Sequence, residues 1–171
     1  MRQIRRGVFE TNSSSSHSIT VCRDNNFEPS ALRTDVNGYV RARFGEWGWS
    51  FPDVTTQHER LSYILTMARI LTECNESVWA CSKKVMEKDK RNFEVTREFK
   101  EISDAVAAHT PDCVGVRIDV DDYDTGDIDH DSSNSIYSSF EEFLLDNNMT
   151  IEQFIFGDGS MVTDGHGEGL M

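Results

Sequence analysis

Apolar residues recur every three or four positions in three stretches of the chain, which is the spacing of an amphipathic helix. The first stretch follows Thr56, which begins a Thr-x-x-Glu capping box, and it predicts a helix over about 57–74. A second helical stretch spans about 77–89. A third opens at Thr96 and ends before Pro111, because proline cannot continue a helix.

Apolar and polar residues alternate in shorter segments, and this alternation predicts strands. Two further capping boxes, at Ser139 and Thr150, predict short helices near the C-terminal end. The predicted strands are 19–22, 39–44, 114–120 and 161–163.

Helices and strands are mixed along the chain without a regular strand–helix–strand order. We therefore predict an α+β fold, in which a small mixed or antiparallel sheet packs with three to five helices. The length of 171 residues suits a single domain over 1–171, with a frayed C-terminal tail over 165–171. The four cysteines form no C-x-x-C pair and no apolar run is long enough to span a membrane, so we expect a cytoplasmic protein with reduced thiols.

Charge is distributed unevenly along the chain, whose net charge is −13. Residues 1–103 hold 16 Lys and Arg against 14 Asp and Glu, whereas residues 104–171 hold 16 acidic residues and one basic residue, Arg117. An anionic surface repels nucleic acid and anionic membranes and attracts basic protein surfaces. The charge therefore argues against direct nucleic-acid binding and membrane attachment, and it predicts a basic protein as the partner.

Seven carboxylates crowd into 13 positions of an acidic loop over 119–131. An EF-hand is excluded, because placing Gly126 at the sixth loop position puts Ser132 where the bidentate Glu belongs. A looser Ca²⁺ or Mg²⁺ site and a solvated acidic loop both stay open. The candidate partner-binding residues are Asp119, Asp121, Asp122, Asp124, Asp127, Asp129 and Asp131.

A second set of polar residues comes from three distant segments: the serines 13–16 with His17, Asp129 with His130, and Asp164 with His166. Residues 11–18 carry six hydroxyl side chains, which compete for backbone hydrogen bonds and predict a loop or turn. Imidazoles and carboxylates brought together from three loops predict a divalent-metal site, and a serine beside a histidine predicts a nucleophile with its base. The alternative is that the histidines are structural. The candidate catalytic residues are Ser14, His17 and His130, and the candidate metal ligands are His17, Asp129, His130 and Asp164.

The segment GVFETNSSSSHS over 7–18 resembles the opening of small proteins encoded by phages, prophages and related bacterial elements. Shorter pieces at 44–49, 128–132, 154–156 and 163–164 are similar to the same family. The family pattern has Gln where this chain has Asp131, which makes the loop here more acidic. The resemblance implies a mobile genetic element as the context and singles out the same histidines and aspartates, but it implies no particular reaction.

Two functions from different classes are consistent with these features. The first is an acidic binding protein that inhibits a host nucleic-acid-targeting defence system, of the anti-CRISPR or anti-restriction type. Its carboxylates would occupy the basic groove of a nuclease or CRISPR effector in the host bacterial cytosol. The second is a metal-assisted hydrolase or transferase that acts on a nucleotide or phosphoester. A third interpretation, a structural or accessory phage protein whose polar loops serve only folding, also stays open.

Overall fold

Helices and strands alternate irregularly in the computed structural model, which describes residues 2–6, 15–22, 26–45, 47, 53–72, 83–120, 128 and 137–166. Within 2–6, 15–18, 22, 83–85 and 164–166 it describes the backbone alone. These ranges contain five strands and five helices, which confirms the predicted α+β class. The strands are β1 (Arg2–Arg6), β2 (Ser15–Cys22), β3 (Tyr39–Arg43), β4 (Gly115–Asp119) and β5 (Met161–His166). The helices are α1 (Gln57–Leu71), α2 (Lys83–Phe93), α3 (Arg97–His109), α4 (Phe140–Asp146) and α5 (Ile151–Phe156).

The strands form two sheets, one antiparallel and one parallel. In the antiparallel sheet β2 lies in the centre, between β1 and β5. The parallel sheet consists of β3 and β4. Val54 extends the antiparallel sheet at one point, because it exchanges backbone hydrogen bonds of 2.9 and 3.0 Å with Val162 of β5. The N-terminal and C-terminal strands therefore meet in one sheet.

Helix α1 lies at the centre of the hydrophobic core. Its residues Leu61, Ile64 and Leu65 are fully buried, and the helix contacts α3, α5 and β3. Helix α5 contributes the buried Phe154 and Ile155 and also contacts β2. Burying a side chain of this size stabilises the fold by roughly 1.5–3 kcal/mol. The core thus supports the central strand of the antiparallel sheet through α5.

Three predicted helix starts are confirmed in detail. The side chains of Thr56 and Thr150 accept hydrogen bonds from the backbone N–H groups of Glu59 and Gln153. The side chains of Glu59 and Gln153 in turn accept hydrogen bonds from the backbone N–H groups of Thr56 and Thr150. Thr96 caps α3 in the same way through its hydroxyl oxygen. Each cap satisfies a helix N–H group that has no partner within the helix, and a cap of this kind contributes about 1 kcal/mol.

Four boundaries differ from the sequence prediction. Residues 15–18 belong to β2, so the predicted loop is wrong there; all four residues pair with β5, and this pairing supplies backbone bonds for which the hydroxyl groups compete. α1 ends at Leu71, before its predicted end at 74, because Thr72 is already extended. β5 extends to His166 and includes two residues that the sequence analysis places in the tail. α2 runs beyond its predicted end at 89, because Phe93 is fully buried in an aromatic cluster.

Candidate functional site

The register of β2 and β5 aligns the two polar ends of the chain. His17 lies directly opposite Asp164, and Ser15 lies directly opposite His166. Directly opposite residues of an antiparallel pair have Cβ atoms about 4.5–5.5 Å apart. Of the four candidate metal ligands, His17 and Asp164 are thus neighbours, although 147 positions separate them in sequence.

These polar positions belong to the face of the sheet that covers the core. Successive residues of a strand alternate between faces, so positions 15, 17, 19 and 21 share a face with 162, 164 and 166. On that face Val21 and Val162 are 5% and 3% exposed, and Ile19 packs against the core. The His17 and Asp164 positions continue this apolar face toward one end of the sheet.

Strand β1 adds basic residues beside the site. Arg5 lies opposite Ile19, so it belongs to the same face as His17, one pair further along the sheet. Arg6 lies opposite Ser18 and belongs to the other face. The Arg5 position thus adds one basic residue to the face of the sheet that carries the His17 and Asp164 positions.

The serine-rich segment has a different geometry from the one that the sequence predicts. A loop can aim several consecutive backbone N–H groups at one phosphate. Ser15, Ser16 and Ser18 instead lie in an extended strand that pairs with β5, where successive N–H groups point in opposite directions. Consecutive N–H groups of β2 therefore cannot all be aimed at one phosphate. Ser14, a candidate nucleophile, lies outside the described residues.

Within the acidic loop, the structure describes Asp119, Val120 and Ile128. Asp119 ends β4, and Ile128 is 3% exposed and pairs with Trp47. The Trp47 ring in turn packs edge-on against Tyr63 of α1, with ring centroids 5.2 Å apart. Ile128 and its partner Trp47 thus anchor the acidic loop to the core. The remaining candidates of this loop lie outside the described residues: Asp121, Asp122, Asp124, Asp127, Asp129, His130 and Asp131.

An arginine from the N-terminal half neutralises Asp119. The Arg41 guanidinium donates two hydrogen bonds to the Asp119 carboxylate, one of them 2.9 Å long, and this carboxylate raises the pKa of Arg41. Arg41 also lies 3.5 Å from Asp35. The backbone N–H of Tyr39 holds the pKa of Asp35 below its usual value, and the charge of Arg41 lowers it further. One of the seven loop carboxylates is therefore paired within the chain.

Arg5 is absent from the residues that the sequence singles out. Ser15 and His166 belong to the polar set that the sequence singles out, but not to its candidate catalytic residues or metal ligands. His166 follows Asp164 at a spacing of two, so both residues share one face if the segment is a strand. The same spacing predicts no shared face if the segment is a frayed tail. Among the side chains that the structure describes, no group of three or more His, Cys, Asp or Glu residues is arranged to hold a metal. No helix in the described part of the chain has the length and apolar content that crossing a bilayer requires.

Comparison of the chain with family models, with curated proteins and with solved structures finds no match. The function is therefore argued from the residues of this chain alone.

Proposed function

We propose that this protein is a metal-assisted hydrolase or transferase that acts on a phosphoester or nucleotide. The observation that carries the proposal is the β2–β5 register, which sets His17 opposite Asp164 and Ser15 opposite His166. Two imidazoles, a carboxylate and a hydroxyl group on one face of a sheet form a set that can bind a metal or transfer protons.

A phosphoester is the substrate class that suits the charges around this set. Such a substrate carries negative charge, and its hydrolysis needs that charge to be stabilised while water attacks phosphorus and the bond to the leaving oxygen breaks. Water gives up a proton in this step and the leaving oxygen gains one. Arg5 would attract the substrate, and Ser15, whose position is on the same face as His17, would supply a hydroxyl donor.

The experiment is an activity screen of the purified chain against phosphomonoesters, phosphodiesters and nucleotides, with a panel of divalent metals. The expected result is hydrolysis or transfer of one of these classes that His17→Ala and Asp164→Asn each reduce by a factor of about 100 or more. The matched controls are His58→Ala and Asp104→Asn, which change exposed residues of α1 and α3. Activity that survives both site variants, or that the controls reduce equally, would overturn the proposal.

A second function, inhibition of a host defence nuclease, is favoured by the charge of residues 104–171. These residues include 16 acidic residues and one basic residue, and seven of the carboxylates belong to the acidic loop over 119–131. Such a surface could occupy a basic groove that normally holds nucleic acid, in the cytosol of a host bacterium. The pairing of Arg41 with Asp119 removes one carboxylate from this surface. We therefore place this function after the first.

The inhibitor function has its own test, which is binding to a CRISPR effector or restriction nuclease at increasing salt. Affinity should fall steeply with salt, and the triple variant Asp121→Asn, Asp122→Asn, Asp124→Asn should weaken binding. The control triple Asp104→Asn, Asp112→Asn, Asp158→Asn makes the same change in net charge elsewhere. Equal effects of the two triples would mean that net charge, and not the acidic loop, drives binding.

A further inference from the structure

The pairing of β2 with β5 places three metal-ligating residue types at neighbouring positions on one face of the sheet. His17 is opposite Asp164, and His166 is two residues beyond Asp164 on the same strand. Residues two apart on a strand are separated by about 6.6–6.8 Å, and diagonal neighbours across a pair by about 7–8 Å, which is still within reach of long side chains. One ion could therefore draw ligands from all three positions.

We propose that His17, Asp164 and His166 form a site for one transition-metal ion of the Zn²⁺, Co²⁺, Ni²⁺ or Fe²⁺ type. Two imidazoles and one carboxylate are the ligand set of catalytic zinc sites and of non-haem iron sites, which keep open positions for water or substrate. Imidazole selects these ions over Mg²⁺ and Ca²⁺, which prefer oxygen ligands. The inference rests on the proposed function, because it names the metal of the same site.

This ligand set differs from the one that the sequence suggests. The sequence pattern predicts Asp129 and His130 of the acidic loop as two of the ligands. The β2–β5 register instead gives His166 of β5 as the second histidine. Ligands held by two paired strands need no loop to fold onto the sheet. The two sets share His17 and Asp164, so the decisive residues are His166 and His130.

The test is metal titration of the metal-free full chain without any histidine tag, since a tag would bind the same ions. Co²⁺ gives visible absorption bands, and Zn²⁺ affinity follows from competition with a chromogenic chelator. We expect one ion per chain. His17→Ala, Asp164→Ala and His166→Ala should each weaken binding by about 100-fold or more, since outer-shell changes alone cost 10–100-fold.

Two controls keep the ligand assignment falsifiable. His130→Ala and His58→Ala should leave the affinity unchanged; if His130→Ala abolishes binding and His166→Ala does not, the proposed set is wrong. If an alanine variant does not fold, NMR of the wild-type imidazole nitrogens with Co²⁺ still identifies the ligating histidines. Shifts confined to histidines other than 17 and 166, or no binding of any of these ions, would overturn the proposal.

Measurements of phosphoester activity and of metal binding distinguish this inference from the proposed function. Metal binding with the expected ligands but without phosphoester activity would keep the metal site and reject the reaction. Activity that persists in chelator-treated protein would keep the reaction and reject the metal site.

Discussion

Arg69 of α1 and Asp89 of α2 form a buried ion pair, in which the guanidinium donates to the carboxylate and both side chains are about nine-tenths buried. The Arg69 guanidinium also lies over the ring of Phe44, 4.8 Å from its centroid. The ion pair therefore links α1 to α2, which are separated in sequence by the segment that follows α1. Each of the two buried charges is compensated by the other.

Removing one partner of this pair should destabilise the protein strongly. Asp89→Leu or Arg69→Met is expected to lower the free energy of unfolding by about 3–5 kcal/mol, because each leaves one buried charge uncompensated. The double variant Arg69→Met, Asp89→Leu should recover much of this loss, since it buries no charge. Urea denaturation of the four proteins measures the effect. A double variant as unstable as the sum of the single variants would contradict this account.

Arg60 should prove essential for placing β5. Its guanidinium donates to the backbone oxygens of Gly157 and Ser160, at 3.0 and 2.7 Å, in the turn that leads from α5 into β5. Burial lowers the pKa of Arg60, and the carboxylate of Glu28 opposes this shift from 3.3 Å. Hydrogen bonds to charged groups contribute about 1.5–3 kcal/mol each, so Arg60→Met should cost about 3 kcal/mol or more.

The same Arg60 variant offers a readout beyond stability. Because β5 carries Asp164 and His166, metal affinity should fall in Arg60→Met protein that is still folded by circular dichroism. An exposed arginine supplies the control, since Arg33→Met should change neither stability nor affinity. Unchanged stability of Arg60→Met would mean that the turn does not depend on this side chain.

Glu142 should make stability depend on acid pH. The hydroxyl and N–H groups of Ser138 donate to its carboxylate at 2.5 and 2.7 Å, and they hold the pKa of Glu142 below its usual value. The unfolded chain has a Glu pKa of about 4.3, so this stabilisation is present above that pH and disappears as pH falls through the lower folded pKa. Glu142→Gln should therefore destabilise the protein at neutral pH but not near pH 3. An equal penalty at both pH values in thermal denaturation would contradict this expectation.

A disulfide can test the β2–β5 register directly. Opposite residues of an antiparallel pair have Cα atoms about 4.5 or 5.5 Å apart, within the range that a disulfide spans. The pair His17→Cys, Asp164→Cys should cross-link under mild oxidation, and mass spectrometry of tryptic peptides detects the product. The control pair Ser16→Cys, Asp164→Cys puts the two thiols on opposite faces. More cross-linking in the control would show that the register is shifted by one residue.

The local parts of the fold follow from the sequence. The capping boxes at Thr56 and Thr150 involve residues three apart, so they can be found without knowing any distant contact. The strand predicted at 114–120 can also be found locally, because its alternation of apolar and polar residues reflects one buried face. Features of this kind are determined within a few residues, and the structure confirms them with small shifts at the ends.

The parts that sequence analysis misses depend on distant partners. Residues 15–18 are strand because they pair with β5, and nothing in a run of serines indicates that pairing. Arg60 and Arg69 lie on the buried side of α1, where a helical pattern leads one to expect apolar residues. Their partners are elsewhere in the chain, so the pattern around them carries no trace of the interaction.

The residue types of the candidate site are identifiable from the sequence, but their placement is not. His17 and Asp164 are residue types that support chemistry, and the β2–β5 register sets their positions opposite each other. His166 belongs to the same polar set, but only the extension of β5 to that residue puts it on the same face as Asp164. Asp129 and His130 remain predictions, since they lie outside the described residues.

The order of strands in the antiparallel sheet has a consequence for synthesis in the cell. β2 leaves the ribosome early, but its neighbour β5 is made about 150 residues later. At translation rates of about 5–20 residues per second, a nascent chain waits roughly 7–30 seconds before the two strands can pair. The His17 and Asp164 positions therefore cannot face each other until β5 has been synthesised, and a chain that stops before β5 lacks this pair of positions.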